Sequence, residues 1–179
     1  MRNGGVGPRC HSASYSAVGG SSRAATDRAK ASKKLLVEFP PERHAALLAE
    51  AEAVIDAPEF ARYFGPGSRA EVPIVGRIGV RGVAGRIDRL LVTPDRVAIV
   101  DFKTGRIPPG GPGDVPANYF AQMAAYRAVL RQIYPKAQID VVLIWTDGPA
   151  GVTLQPAELD PYEAYLTSAP VIAVASSAA

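Results

Sequence analysis

Two aspartates near the middle of the chain, Asp88 and Asp101, are spaced so that a β-hairpin would bring their carboxylates together. Between them, residues 93–96 read Thr-Pro-Asp-Arg, a sequence with turn chemistry. If the turn is centred on Pro94 and Asp95, paired residues have numbers that sum to 189, so Asp88 faces Asp101. The carboxylates would be roughly 5 Å apart, and like charges directly opposite each other destabilise a sheet. A divalent cation is the obvious group to offset that repulsion.

Alternation along the strand places Lys103 on the face of Asp101 and turns Phe102 to the other face. In this register one face carries, in order, Arg86, Asp88, Leu90 and Val92 opposite Lys103, Asp101, Ile99 and Val97. The other face carries Ile87, Arg89 and Leu91 with Phe102, Val100 and Ala98. A strip that is apolar at the turn and charged at its other end indicates functional carboxylates. The alternative is a surface salt-bridge cluster in which the neighbouring arginines and Lys103 neutralise the aspartates.

Two carboxylates and a lysine suit the hydrolysis of a phosphodiester bond. Carboxylate oxygens are hard ligands that hold Mg²⁺ with several waters retained, and such an ion activates water and neutralises charge on the phosphate. The Lys103 ammonium can orient the attacking water and stabilise the charge that develops in the transition state.

A helix predicted over residues 117–133 adds Gln122 and Tyr126, which are four residues apart and therefore share one helical face. Taken alone, the pair is an ordinary polar flank of an amphipathic helix. After a strand that carries a carboxylate and a lysine, we expect the pair to face the site or a nucleic acid, since tyrosine binds phosphate or stacks on bases.

The elements that must position these residues follow from apolar spacing and from Gly and Pro signals. The predicted helices cover residues 40–57, 117–133 and 158–167, with a short helical turn at 58–64. The predicted strands cover residues 70–77, 82–92, 97–103 and 140–145, and a Gly- and Pro-rich loop covers 105–116. This order predicts an α/β fold with a mixed sheet covered by helices. The long connection from Lys103 to Val141 predicts a parallel crossover.

Charge is unevenly distributed along the 179 residues, whose net charge is +3. Residues 1–34 contain seven Lys or Arg and one Asp, whereas residues 35–179 contain 13 Lys or Arg and 16 Asp or Glu. The basic character therefore belongs to the first 34 residues, which we expect to be disordered. A single cysteine, Cys10, excludes an internal disulfide and is compatible with the cytoplasm. No apolar run is long enough to cross a membrane.

Three motifs, Gly-Arg-Ile-Asp-Arg-Leu at 85–90, Val-Asp-Phe-Lys-Thr-Gly at 100–105 and Gln-Met-Ala-Ala-Tyr at 122–126, resemble those of the RecB-type branch of the PD-(D/E)XK nuclease superfamily. Flanking sequence, residues 70–74 and 143–146, is similar to the nuclease domains of AddA-type helicase–nucleases. The resemblance implies a restriction-endonuclease-like core over residues 35–168. Residues 169–179 are mostly small, and we expect them to form a frayed tail.

The resemblance also implies roles for individual residues. Asp88, Asp101 and the backbone carbonyl of Phe102 would bind Mg²⁺, with Mn²⁺ as an alternative, and Lys103 would be the catalytic lysine. Gln122 and Tyr126 would help to align the substrate with the site. Glu71 matches an acidic position of the family's first strand, with a structural ion pair and a role in the site as equal alternatives. The implied activity is exonuclease-type cleavage of DNA single strands or duplex ends during double-strand-break repair.

The chain departs from the family pattern in two respects. Family members usually have a helical histidine ahead of the first strand as a further metal ligand, and the upstream histidines here, His11 and His44, lie in no recognisable motif. No phosphate-binding loop of a helicase is present in the sequence, so a helicase domain and an AddB-like nuclease subunit are expected only as partners. The alternative is a catalytically incomplete fragment that retains a DNA-binding or partner-interaction role.

Overall fold

The fold centres on a five-stranded sheet with the strand order β1-β2-β3-β4-β5. A computed structural model describes residues 36, 39–108 and 111–168. The chain divides into two compact units, residues 1–45 and 46–179, and the sheet lies in the second. The strands are β1 (Ser68–Ile78), β2 (Arg81–Val92), β3 (Arg96–Lys103), β4 (Gln138–Trp145) and β5 (Ala150–Leu154).

Three α-helices accompany the strands: α1 (Pro41–Asp56), α2 (Ala117–Ile133) and α3 (Pro156–Ser168). Short 3₁₀ helices cover Ala61–Phe64 and Gly111–Asp114. The predicted bounds of α2 are confirmed, and α3 extends the predicted helix by two residues at its start and one at its end. Residues 1–34 and 169–179, which are predicted to be disordered and frayed, lie outside the described residues.

The strand pairing confirms both the hairpin register and the crossover. β2 and β3 are antiparallel, and their pairs run from Val92–Val97 to Arg89–Val100, which is the register that centres the turn on Pro94 and Asp95. β3 and β4 are parallel, with α2 in the connection between them. β1 pairs with β2 and β5 pairs with β4, both antiparallel, so the sheet is mixed.

One predicted feature of the hairpin is wrong, because strict alternation fails on β2 next to Asp88. Ile87 and Leu90 pack in the same core cluster, although strict alternation would put them on opposite faces. The pairing of β1 with β2 is also interrupted here, between Val72–Ile87 and Ala70–Arg89. The unpaired residue of β1, Glu71, has a φ of 54°, a left-handed conformation that is uncommon outside glycine.

The break changes which predicted residues share a face. Ile87 lies on the face that α2 covers, not with Arg89 and Leu91. Arg86 is directly opposite Pro73 and makes its ion pair with Glu71, so it does not continue the strip of Leu90 as predicted. The assignments on β3 are confirmed, since Val97 and Ile99 pack in one core cluster and Ala98 and Val100 in the other.

Two apolar clusters cover the two faces of the sheet. On one face α2 and α3 bury β-strand side chains together with Met123, Val129 and Leu159. On the other, Val54 of α1 and Phe60 and Tyr63 around the first 3₁₀ helix pack against alternate residues of β3 and β4. The site residues therefore lie on strands that are fixed from both sides, a rigid support for polar groups.

β5 is the element that the sequence analysis missed. Val152 and Leu154 are buried and alternate with exposed Gly151 and Thr153, so the strand has a two-residue period. Gly148, with a φ of 71°, makes the turn from β4. The alternating run was too short to stand out from the loop that precedes α3.

Candidate functional site

The buried end of β3 holds an ion pair between two of the predicted site residues. Lys103 Nζ lies 2.6 Å from Asp101 Oδ2, and only 11% and 7% of the two side chains are exposed. Asp101 and Lys103 share one face of the sheet because they are two residues apart on one strand. This is the α2 face, since Lys103 contacts Gln122. A buried carboxylate is costly unless it is paired, so the lysine stabilises an otherwise unfavourable charge.

Asp88 approaches the same place from β2, one residue beyond the last β2–β3 pair. Its Oδ2 accepts a hydrogen bond of 2.8 Å from the backbone N–H of Phe102. Burial raises the pKa of the Asp88 carboxyl above its usual value; the Phe102 N–H opposes the rise, the charges of Asp101 and Glu71 add to it, and Lys103 lowers it. The charge of Asp101 thus acts on Asp88 in the direction that like charges predict, as an addition to the larger effect of burial.

Helix α2 brings Gln122 and Tyr126 to the site, as their spacing predicted. Lys103 Nζ lies 3.4 Å from Gln122 Oε1, and Gln122 Nε2 lies 3.4 Å from the Tyr126 hydroxyl. Tyr126 is buried over Gly85, where an added Cβ would be 2.2 Å from the tyrosine oxygen. A glycine at this position of the first motif therefore lets the helix pack closely against β2.

Tyr119 is a contact of the site that the sequence analysis missed. Lys103 Nζ is 3.8 Å from the centre of the Tyr119 ring, within the range of a cation–π interaction. Tyr119 is three residues before Gln122 and seven before Tyr126, so the helical period that linked those two also includes it. Three side chains of one helix face thus surround the lysine and Gly85.

Glu71 and Arg86 form an exposed ion pair beside the carboxylates. Arg86 Nη1 lies 3.1 Å from Glu71 Oε2, and the side chains are 67% and 61% exposed. The charge of Glu71 nevertheless raises the pKa of Asp88. Both alternatives weighed for Glu71 are therefore represented: it makes an ion pair, and it is close enough to act electrostatically on the site.

Of the two upstream histidines, the structure describes His44 but not His11. His11 lies outside the described residues. His44, on α1, has its Nε2 2.8 Å from the carbonyl oxygen of Phe39, so that nitrogen donates its hydrogen there. Among the described residues, no group of three or more His, Cys, Asp or Glu side chains is arranged to hold a metal ion.

The donors that do converge still fit a hard divalent cation. Asp88 and Asp101 offer carboxylate oxygens, and Mg²⁺ is commonly bound by one or two carboxylates and several waters. Burial raises the pKa of Asp88 and the charge of Asp101 adds to the rise, and a cation would offset that added repulsion. The Lys103 ammonium supplies part of that positive charge through its contact with Asp101.

The ring of Phe102 lies on the opposite side of the sheet. It stacks with Phe64 at 6.3 Å between ring centres, and both line a cavity of about 290 Å³. The Arg89 guanidinium lies 4.6 Å from the Phe64 ring centre, and burial lowers the pKa of Arg89. Phe102 thus anchors its strand in this second core while its N–H binds Asp88.

Comparison with known proteins gives a match to one family and to solved structures. The model of the PD-(D/E)XK nuclease superfamily matches residues 8–167. A crystal structure from Eubacterium rectale, of a protein provisionally named an exonuclease, aligns with a TM-score of 0.54 and 15% identity over 81% of this chain. The crystal structure of SSO0001 aligns with a TM-score of 0.37 and 16% identity, covering 81% of this chain and 68% of its own.

This chain matches only part of the Eubacterium rectale protein. The chain spans 59% of the length of the Eubacterium rectale protein. A search of the curated proteins gives no significant match. In the part of the chain that the structure describes, no helix is both long and apolar enough to span a bilayer.

Proposed function

Since this chain belongs to the PD-(D/E)XK nuclease superfamily, we propose that residues 35–168 form a Mg²⁺-dependent DNA nuclease domain of the exonuclease type. The observation that carries the proposal is the convergence of Asp88, the buried Asp101–Lys103 pair and the α2 face. The raised pKa of Asp88 supports the proposal, because perturbed pKa values are concentrated at functional sites.

In this proposal Asp88, Asp101 and the carbonyl of Phe102 hold the cation. The family typically uses divalent metals, and a bound Mg²⁺ or Mn²⁺ supplies Lewis-acid chemistry that acidifies water and neutralises charge on the phosphodiester. The Phe102 N–H orients the Asp88 carboxylate through its 2.8 Å hydrogen bond. The two strands thus place their carboxylates before any substrate arrives, a preorganised arrangement.

Lys103 is the proposed catalytic cation of the chain itself. When water attacks phosphorus and the P–O bond breaks, negative charge grows on the phosphoryl oxygens, and the ammonium can donate hydrogen bonds to them. Gln122 and the Tyr119 ring contact Lys103 from α2 and limit its rotamers. Tyr126 orients Gln122 through its hydroxyl group, so α2 holds the lysine side chain in position.

The motif resemblance supports a more specific assignment. We assign the domain to the AddA type, acting on single strands or duplex ends in double-strand-break repair, in the cytoplasm and together with a helicase domain and an AddB-like subunit. A helicase reading frame that ends immediately upstream of this sequence in the genome would support the assignment. A genome with an intact AddA-type gene elsewhere and no helicase nearby would contradict it.

Cleavage of single-stranded DNA tests the proposed activity. We expect cleavage with Mg²⁺, none with EDTA, and a loss of about 100-fold or more in Lys103→Ala, typical of removing a group that stabilises transition-state charge. Lys136→Ala is the matched control, because Lys136 lies in the turn between α2 and β4. A Lys103→Ala variant that cleaves as fast as the parent would show that the proposed mechanism is wrong.

A catalytically incomplete fragment is the second candidate. It is favoured by the 2.6 Å contact between Lys103 and Asp101, which neutralises one of the two carboxylates that would bind metal. Calorimetry with Mg²⁺ or Mn²⁺ distinguishes the two candidates. Binding that disappears in Asp101→Asn supports the nuclease, whereas DNA binding without any metal binding supports the incomplete fragment.

A further inference from the structure

The part of the β1–β2 hairpin beyond Asp88 has one covered face and one bare face. On the covered face α2 packs so closely that a Cβ added at Gly76 would be 2.5 Å from Val129. The bare face consists of three directly opposed pairs: Pro73–Arg86, Val75–Ala84 and Arg77–Gly82. Val75 is 77% exposed, and Pro73, Gly82 and Ala84 are exposed as well.

Positive charge is concentrated on this hairpin. Residues 68–92 contain five Arg and two acidic residues, whereas the rest of residues 35–179 contains eight Lys or Arg and fourteen Asp or Glu. The domain is therefore acidic as a whole but basic along the two strands that lead to Asp88. A polyanion that approached the domain would be drawn to the hairpin.

Two arginines mark the ends of the bare face. Arg86 is two residues from Asp88, and Arg77 is four residues farther from the site along the paired strands. Four residues of β-strand span about 13 Å, so the two arginines are far enough apart to contact different phosphates of one DNA strand. The side chains between them are small, so a sugar–phosphate chain can approach the sheet.

We propose that this bare face binds the phosphodiester backbone of the DNA strand that enters or leaves the candidate site, with Arg77 and Arg86 on its phosphates. The inference rests on the proposed function and extends it by assigning the surface that holds the substrate. Glu71 occupies Arg86 in the free protein, at 3.1 Å. A phosphate therefore binds Arg86 in competition with this carboxylate.

Fluorescence anisotropy with a single-stranded oligodeoxynucleotide in EDTA tests the inference without cleavage. For the double variant Arg77→Gln/Arg86→Gln we expect weaker binding and a salt slope that is smaller by about 1.4, since each phosphate contact on single strands contributes roughly 0.7. Arg96→Gln is the matched control, because Arg96 is exposed at the turn end of β3 and pairs with Asp140. Thermal melting checks that the double variant and Arg96→Gln both fold.

Unchanged affinity and slope in the double variant would overturn the proposal, and so would an equal loss in Arg96→Gln. In Glu71→Gln we expect tighter DNA binding, because Arg86 is released. That gain should vanish in an Arg86→Gln background, and a gain of the same size there would overturn the role of Arg86. A protein that binds DNA through this face but never cleaves it would contradict the proposed function and leave this inference standing.

Discussion

The two ends of the β2–β3 hairpin contrast in how their polar groups are treated. At the turn end, the Thr93 N–H and hydroxyl both donate to the Arg96 carbonyl, at 2.8 and 2.9 Å, and the Arg96 side chain bonds to Gln138 and Asp140. At the site end, burial raises the pKa of Asp88, the charge of Asp101 adds to the rise, and the pairing stops at Arg89. The same strands are built for stability at one end and hold unfavourable charges at the other.

This difference separates residues that specify the fold from residues to which we assign chemistry. The turn end would be equally stable in a protein with no activity. The site end includes a left-handed Glu71, a buried Asp101 and an Asp88 with a raised pKa. Each of these features costs stability and is expected chiefly at functional sites. Substitutions of polar residues at the turn end should therefore lower stability without affecting DNA cleavage. Substitutions of polar residues at the site end should instead lower DNA cleavage.

The largest contrast is expected from Asp101→Asn and Asp140→Asn, which make the same chemical change on neighbouring strands. Asp101→Asn should reduce DNA cleavage by about 100-fold or more, because it removes the carboxylate that holds Lys103 at 2.6 Å. Asp140→Asn removes a partly exposed partner of Arg96 and should leave the rate unchanged. Steady-state cleavage assays at saturating Mg²⁺ measure both. Equal rates in the two variants would remove the contrast.

A second contrast compares two glycines of β2. Gly85→Ala should destabilise the protein by about 1–3 kcal/mol, typical of overpacking, because its Cβ would be 2.2 Å from the Tyr126 oxygen. Gly82→Ala meets nothing within 4 Å and should be neutral or slightly stabilising. Urea unfolding gives both free energies. If Gly85→Ala were as stable as the parent, the close packing of α2 on the site end would be wrong.

At the turn end, Thr93→Val should lower the free energy of unfolding by about 0.5–1.5 kcal/mol, the net value of a typical hydrogen bond. The hydroxyl also accepts the Arg96 N–H at 3.1 Å, so two bonds are lost, but both are exposed and water replaces part of their contribution. Cleavage of DNA should be unaffected in folded protein. Reduced activity at a temperature where the variant is fully folded would show that the two ends are coupled.

The smallest effect on stability is expected from Asp88→Asn, and it has the opposite sign. The folded-state pKa of Asp88 lies above the ordinary value of 3.8, so the folded state holds the proton more tightly and stability falls as pH rises from below 3.8 through that raised pKa. Asparagine cannot ionise, so the variant should lose this slope and be at least as stable at neutral pH. Urea unfolding between about pH 3 and about pH 7 tests this expected loss of pH dependence. A steeper slope in the variant would contradict the assignment.

Local chemistry explains which features were predictable from sequence. The Thr-Pro-Asp-Arg turn fixes its own geometry within four residues, so the register of β2 and β3 followed. The apolar spacing of residues 117–133 extends over several turns, so both bounds of α2 and the shared face of Gln122 and Tyr126 were predicted correctly. These signals require no knowledge of distant contacts.

The remaining features depend on tertiary contacts. Nothing in a single sequence indicates that Glu71 adopts a left-handed conformation, and that break moved Ile87 and Arg86 away from their predicted faces. β5 is only five residues long and gains its stability by pairing with β4. The contact of Tyr119 with Lys103 requires a particular depth of helix docking, which periodicity alone does not specify.

The parallel pairing of β3 with β4 has a consequence for the order of folding. Arg96 pairs with Gln138, so the first paired positions are 42 residues apart in sequence, with α2 in the connection. Contacts so distant in sequence form slowly, whereas the hairpins from β1 to β3 close short loops. A nascent chain can therefore assemble both aspartates before α2 docks on Lys103. We expect catalytic competence to appear late in folding, after the carboxylates are already in place.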